Sequence, residues 1–202
     1  MSSLTFDLAT HIYADDKGPL WAVSDILTLA GLRPDYGDRA EAARQRGKAV
    51  HKLCEQHDLD AVDMLSIPPD LLGYLLAWQK FRNETGFLPT RIEEPVASSF
   101  YRIAGTPDRV GTVGDKTWLI DIKSGQPTAA DALQVAAYQY MLEATMGGQK
   151  IDTRTAVYLR KDGTYATPTK PFTDQNDIKI FLAALSTVQW RQAHGLLNGG
   201  GP

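Results

Sequence analysis

The chain has 202 residues, 43% of them hydrophobic, enough for one domain with a buried core and no need of covalent staples. Its single cysteine, Cys54, excludes an intrachain disulfide and any zinc or iron–sulfur site built from several thiolates of this chain. With 21 Lys+Arg against 24 Asp+Glu, a formal net charge of -3, it does not coat nucleic acid by bulk positive charge, although a local basic strip stays open.

Leu4 to Tyr13 mixes β-formers with polar residues, and Asp15-Asp16-Lys17-Gly18 marks a turn, so a hairpin is expected. Ser24 reads as the N-cap of a short helix through Ile26, Leu27 and Leu29, stopped by Gly31. Arg33 to Gly37 is a loop. Asp38 to Gln56, rich in Ala, Arg and Lys, is a helix interrupted only by Gly47. Ile67-Pro68-Pro69-Asp70 starts another, with Leu71, Leu72, Leu75, Leu76 and Trp78 as its apolar face and Gly86 at its end.

The period then changes. Residues 92–98, 101–104, 108–113 and 117–122 are β-rich runs separated by glycines and read as consecutive strands of a meander. Thr128 to Met146 is helical, 153–159 a strand, Lys161-Asp162-Gly163 a turn before a partner strand at Tyr165, and 178–194 a last helix. The expected fold class is mixed α/β, one central sheet flanked by helices, with residues 1–196 as one domain and 197–202 as a flexible Gly-rich tail. No run approaches the roughly 20 apolar residues of a membrane span, and the start does not read as a signal peptide, so no membrane partner and a cytoplasmic location are expected.

Charge is polarised along the chain. Residues 38–52 hold five basic side chains against two acidic, whereas 55–100 hold eight acidic against three basic. The basic helix with Arg44, Arg46 and Lys48 is the candidate phosphate-facing strip. Trp21, Trp78 and Tyr36 are candidates for stacking on a base, but each is read first as packing.

Three local patterns carry chemistry. Asp121-Ile122-Lys123 closes a strand, so alternation puts Asp121 and Lys123 on one face and Ile122 in the core. Asp108, after Gly105-Thr106-Pro107, starts the preceding strand and therefore meets the end of the next one. Oxygens of Asp108, Asp121 and the Ile122 carbonyl suit a hard divalent cation, with Lys123 beside it. Taken alone, a D-x-K reads first as a surface ion pair on adjacent strands. Gly47 and His51 lie one turn apart on a helix, with Glu55 one turn further; Gln134 and Tyr138 are similarly spaced in the helix after the D-x-K strand. Glu94 is a further acid, read first as a solvated strand end.

In this order, G-x-x-x-H, G-T-P-D, D-I-K and Q-x-x-x-Y resemble the PD-(D/E)xK nuclease superfamily. The chain is most similar to the RecB-like branch, in particular compact phage and prophage exonucleases and the nuclease domain of exonuclease VIII. Val23 to Leu27 also resembles the short leading helix of such phage proteins, and the resemblance runs from about Ser24 to Trp190. It implies a restriction-endonuclease-like core. His51, Asp108, Asp121 and the Ile122 carbonyl would bind metal, Lys123 would be the catalytic lysine, and Gln134 and Tyr138 would support the site. Arg46 and Ser24 would touch DNA backbone. The implied cofactor is Mg²⁺, with Mn²⁺ as substitute and, given the single cysteine, no iron–sulfur cluster. The implied partner is DNA, as double-stranded ends or single strands; a homo-oligomeric ring and a single-strand-annealing protein follow by analogy. The expected activity is a DNA exonuclease in phage or prophage recombination. An endonuclease of the same fold, or a catalytically silent nucleic-acid-binding member, are the alternatives.

Overall fold

The computed structural model describes residues 4–7, 12–33 and 39–197. The N-terminal part holds β1 (Thr5–Asp7), β2 (Ile12–Asp15) and β3 (Gly18–Ala22). β2 and β3 form the expected hairpin, turned at Asp16 and Lys17. The Asp15 carboxylate accepts the Lys17 N–H at 2.9 Å, a bond that tightens the turn.

β3 runs directly into α1 (Val23–Leu29). Here the expected Ser24 cap is corrected: the helix starts at Val23, after an extended Ala22, and no side chain caps it. Burial sets the boundary instead, because Leu20, Trp21, Val23, Ile26 and Leu27 all enter the core. α2 (Arg39–Asp58) and α3 (Pro69–Thr85) follow. α3 begins on a proline, whose missing N–H is no loss in the first turn, and stops at Gly86 in the left-handed conformation.

The β-rich region contains β4 (Leu88–Ile92), β5 (Val96–Ser98), β6 (Ile103–Gly105), β7 (Arg109–Val113) and β8 (Lys116–Lys123). α4 (Ala129–Thr145) then crosses to β9 (Thr153–Leu159), which lies parallel to β8, before β10 (Tyr165–Ala166) and α5 (Asn176–Ala193). The mixed α/β class is as expected, but the single sheet and single meander are not. Among the described residues two mixed five-stranded sheets form, ordered β1-β2-β3-β6-β5 and β10-β9-β8-β7-β4. The run 92–98 is two strands in different sheets. Its break is at Glu93, whose φ of 50° no regular strand accommodates, followed two residues on by Pro95.

The chain thus crosses between the sheets twice here, at 93–95 and at 106–108. The crossings are tied together by the Glu93 N–H, which donates to the Asp108 carbonyl at 3.0 Å. Both faces of β8 are buried. Ile120 and Ile122 pack with Trp78, Phe81 and Phe87 under α2 and α3, while Leu119 packs with Met141, Phe181 and Leu185 under α4 and α5. Fully burying Ile122 stabilises the strand end by about 1.5–3 kcal/mol, and that end carries its neighbours Asp121 and Lys123. Among the described residues no helix is long and apolar enough to cross a membrane.

Candidate active site

His51, Asp108, Asp121, Lys123, Gln134 and Tyr138 meet where the chain crosses between the two sheets. Pairing of Arg109 with Ile120 brings the start of β7 to the end of β8, as strand order requires. Asp108 is buried there, and its Oδ2 accepts the Ile122 backbone N–H at 2.5 Å. Its Oδ1 lies 3.2 Å from Nδ1 of His51, which α2 presents. Glu93 completes the group, its Oε1 3.7 Å from the same nitrogen. The Nδ1 of His51 and carboxylate oxygens of Glu93 and Asp108 all lie within 4.8 Å of one another.

Asp121, buried, stands next to this trio on the face of Lys123, as alternation dictates. Its Oδ2 is 2.7 Å from the Lys123 ammonium. That contact lacks hydrogen-bond alignment, so the buried Oδ2 has no hydrogen-bond donor among the described residues. Lys123 donates instead to Oε1 of Gln134 at 3.0 Å, and Nε2 of Gln134 donates to the Tyr138 hydroxyl at 3.0 Å.

α4 aims Gln134 and Tyr138 because its first turn is pinned. The Asp131 carboxylate accepts the Thr128 N–H at 2.9 Å and the Thr128 hydroxyl at 3.0 Å, and also the Tyr158 hydroxyl of β9 at 2.8 Å. Gly105 of the G-T-P-D run makes room for the Tyr138 ring: a Cβ there would sit 2.5 Å from Tyr138 Cε1. Arg33, just past α1, also donates to Gln134 Oε1, so two cations share that one carbonyl oxygen.

Electrostatics bind the groups into one unit. Burial alone would push the His51 imidazole down, but Asp108 and Glu93 outweigh it and raise it to about 10. Burial would raise Asp108, yet His51, Lys123 and the Ile122 N–H hold it below the usual carboxylate range. Glu93 is raised by burial and by Asp108. Asp121 is raised to about 6, chiefly by burial and with help from Asp108 and Asp131, against the pull of Lys123. Tyr138 is pushed well up by burial and Asp121, so its phenol stays neutral.

These donors fit a hard divalent ion. Carboxylates and an imidazole converge, one buried carboxylate oxygen lacks a donor, and His51 holds a proton that a cation can displace.

Other expectations fare differently. Glu55 pairs with Lys52 at 2.8 Å, and Glu94 pairs with Arg91 at 2.6 Å. The acid at the site is Glu93, a neighbour that the sequence reading passed over; the Pro95 that breaks the strand was the available signal. Arg44, Arg46 and Lys48 are exposed on α2 in the turns before His51, and Arg44 pairs with Glu41 at 2.7 Å. A Cβ at Gly47 would meet only Ser124 Oγ, at 3.9 Å, so no close approach within the chain demands glycine there. The Ser24 hydroxyl lies 3.4 Å from Asp25 Oδ1. Trp21 and Trp78 are buried and cannot stack on a base; Tyr36 lies outside the described residues, as do 198–202 of the tail.

The family model of the PD-(D/E)XK nuclease superfamily matches residues 21–199. The chain belongs to this superfamily. Nucleases of the superfamily use divalent metals, in keeping with the His51, Glu93 and Asp108 group. No curated protein matches the chain. A solved structure of a Eubacterium rectale protein assigned as an exonuclease shares the fold at TM-score 0.54 and 8% identity, covering 89% of this chain and 83% of its own. An alkaline exonuclease from Laribacter hongkongensis matches at TM-score 0.34 and 16% identity, covering 87% of this chain and 94% of its own.

Proposed function

We propose that this nuclease is a Mg²⁺-dependent DNA exonuclease, with Mn²⁺ as a substitute, that hydrolyses phosphodiester bonds from DNA ends in phage or prophage recombination. The observation that carries the reading is the junction of two sets of groups where the sheets part. One is the acid-imidazole trio; the other is the chain Asp121–Lys123–Gln134–Tyr138.

His51, Glu93, Asp108 and Asp121 are the residues that would hold the metal, with the Ile122 carbonyl as a further oxygen. A bound divalent ion acidifies water and offsets phosphate charge. Lys123, fixed by Gln134, places its ammonium where it can orient the attacking water or meet charge developing on the phosphate. Tyr138 holds the other end of the Gln134 amide. Arg33 adds a second cation at that oxygen. Hydrolysis adds the water oxygen to phosphorus and breaks the P–O3′ bond, leaving a 5′-phosphate and a 3′-hydroxyl. Arg44, Arg46, Lys48 and Ser24 are the proposed contacts to the DNA backbone. The choice of an exonuclease is supported by the sequence resemblance and by the description of the Eubacterium rectale protein that shares the fold. A ring-shaped homo-oligomer and a single-strand-annealing partner belong to the same reading.

The test is end-labelled linear DNA and covalently closed circular DNA, each with Mg²⁺ or EDTA. Metal-dependent loss of linear DNA alone supports the reading. Nicking of closed circles makes the protein an endonuclease, and binding without cleavage makes it a silent member. Lys123→Ala and Asp108→Ala should each lower the rate by about 10²–10⁴-fold; robust activity in either overturns the site.

A further inference from the structure

Behind the candidate metal trio lies a buried ion cluster that the proposed reaction does not touch. Arg109, the first residue of β7, is fully buried. Its Nε donates at 2.6 Å to Oδ2 of Asp58, the last residue of α2, whose side chain is also shut off from solvent. The other oxygen of Asp58 accepts from Arg82 Nη1 at 2.6 Å and from Trp78 Nε1 at 2.9 Å, both on α3. Asp58 is therefore immobilised by two elements, and it immobilises Arg109 in turn.

The other end of the guanidinium points at the site. Nη1 donates at 3.0 Å to Glu93 Oε1 and at 2.6 Å to the Asp108 carbonyl. That carbonyl is the one that accepts the Glu93 backbone N–H. One guanidinium nitrogen thus reaches both the Glu93 side chain and the acceptor that holds its left-handed backbone. A buried ion pair is a poor source of net stability, because desolvation offsets its attraction. What the fork does achieve is geometric: it spans from a fixed anion to a carboxylate on an otherwise strained crossing.

We propose that Arg109, clamped by Asp58, is a positioning residue that holds the Glu93 carboxylate towards His51 and Asp108, so that a divalent ion meets three ligands already in place. The proposal rests on the metal-site reading above. Asp58 also supplies the counter-charge that keeps the guanidinium from repelling the ion. Lysine at 109 keeps the charge but cannot span both Asp58 and Glu93. Ordering of ligands by neighbours of this kind is worth about 10–100-fold in metal affinity.

The experiment is Mn²⁺ binding to the full chain without DNA, by electron paramagnetic resonance titration, on wild type, Arg109→Lys, Glu93→Gln and the double variant, with circular dichroism on each. Arg109→Lys should weaken binding at least tenfold in the wild-type background and less than twofold in the Glu93→Gln background, because Arg109 acts through Glu93. Equal losses in both backgrounds, or no loss in the first, overturn the proposal. If Arg109→Lys does not fold, Asp58→Asn, which keeps Arg109 but frees its anchor, takes its place in the same cycle with the same two outcomes. A wild type that binds no Mn²⁺ overturns the metal site itself and with it this proposal. Wild-type binding with additive losses overturns only the role of Arg109.

Discussion

Replacing Asp121 with asparagine tests the site's electrostatics while keeping its shape. The Asp121 carboxyl titrates at about 6 in the fold against 3.8 when unperturbed, because burial and the neighbouring acids disfavour its charge. A folded value above the unfolded one means that the protonated form fits the fold better. The stability this provides is complete below pH 3.8 and is lost as pH rises through 6. Each pKa unit corresponds to about 1.36 kcal/mol, so the ionised group costs the metal-free protein up to about 3 kcal/mol above pH 7 and about half that at pH 5. Asparagine removes this cost, in which the opposing pull of Lys123 is already counted. In EDTA at pH 8 the variant should therefore be more stable by about 3 kcal/mol, or roughly 6–12 °C in Tm for a chain of this size. At pH 5 the gain should shrink to about half. Adding Mn²⁺ should reverse the order, since only the wild type gains fully from the ion, and the variant should be inactive. Differential scanning calorimetry at the two pH values, with and without metal, reads all of this. A variant less stable than wild type at pH 8 in EDTA refutes the reasoning.

Gln134→Leu should lower kcat by roughly 10–100-fold with little change in DNA affinity, since it frees the Lys123 ammonium. It should also cost about 1–3 kcal/mol in a denaturant melt by stranding the Tyr138 hydroxyl. Gly105→Ala should cripple turnover while the chain stays folded by circular dichroism, because its Cβ drives the Tyr138 ring off Gln134. Arg46→Ala and Lys48→Ala should each flatten the slope of log DNA affinity against log salt by about 1, measured by fluorescence anisotropy; unchanged slopes would take α2 out of the DNA path. Gly73→Ala should lose about 1–3 kcal/mol or more, because its Cβ would lie 1.8 Å from the Lys161 carbonyl oxygen, and rigid backbone cannot yield.

Much of the site is legible in the sequence, because its geometry is local. Alternation along β8 is enough to put Asp121 and Lys123 together with Ile122 opposed, and helical spacing is enough to stack Gln134 on Tyr138. The order of antiparallel strands brings Asp108 to the same end. The helix boundaries marked by Pro69, Gly86 and Thr128 followed from chemistry within one turn of each residue. What stayed hidden depends on distant contacts. A run of β-formers from 92 to 98 looks continuous until the two halves are claimed by different sheets, and only then does Glu93, rather than Glu94, turn towards His51. The start of α1 was misplaced for the same kind of reason, since apolar burial overrode the preference of Ser24 for a cap.

The sequence by itself determined the element types, the metal-competent motifs and their order, because these rest on periodicity and on bonds between near neighbours. The tertiary structure alone decided that the chain splits into two sheets, that Glu93 joins the acids, and that Arg33 shares the Gln134 oxygen with Lys123. It also decided that Asp58 and Arg109, 51 residues apart, meet beneath the site. Such pairings depend on where the hydrophobic layers bring separate segments together, and no local spacing encodes that.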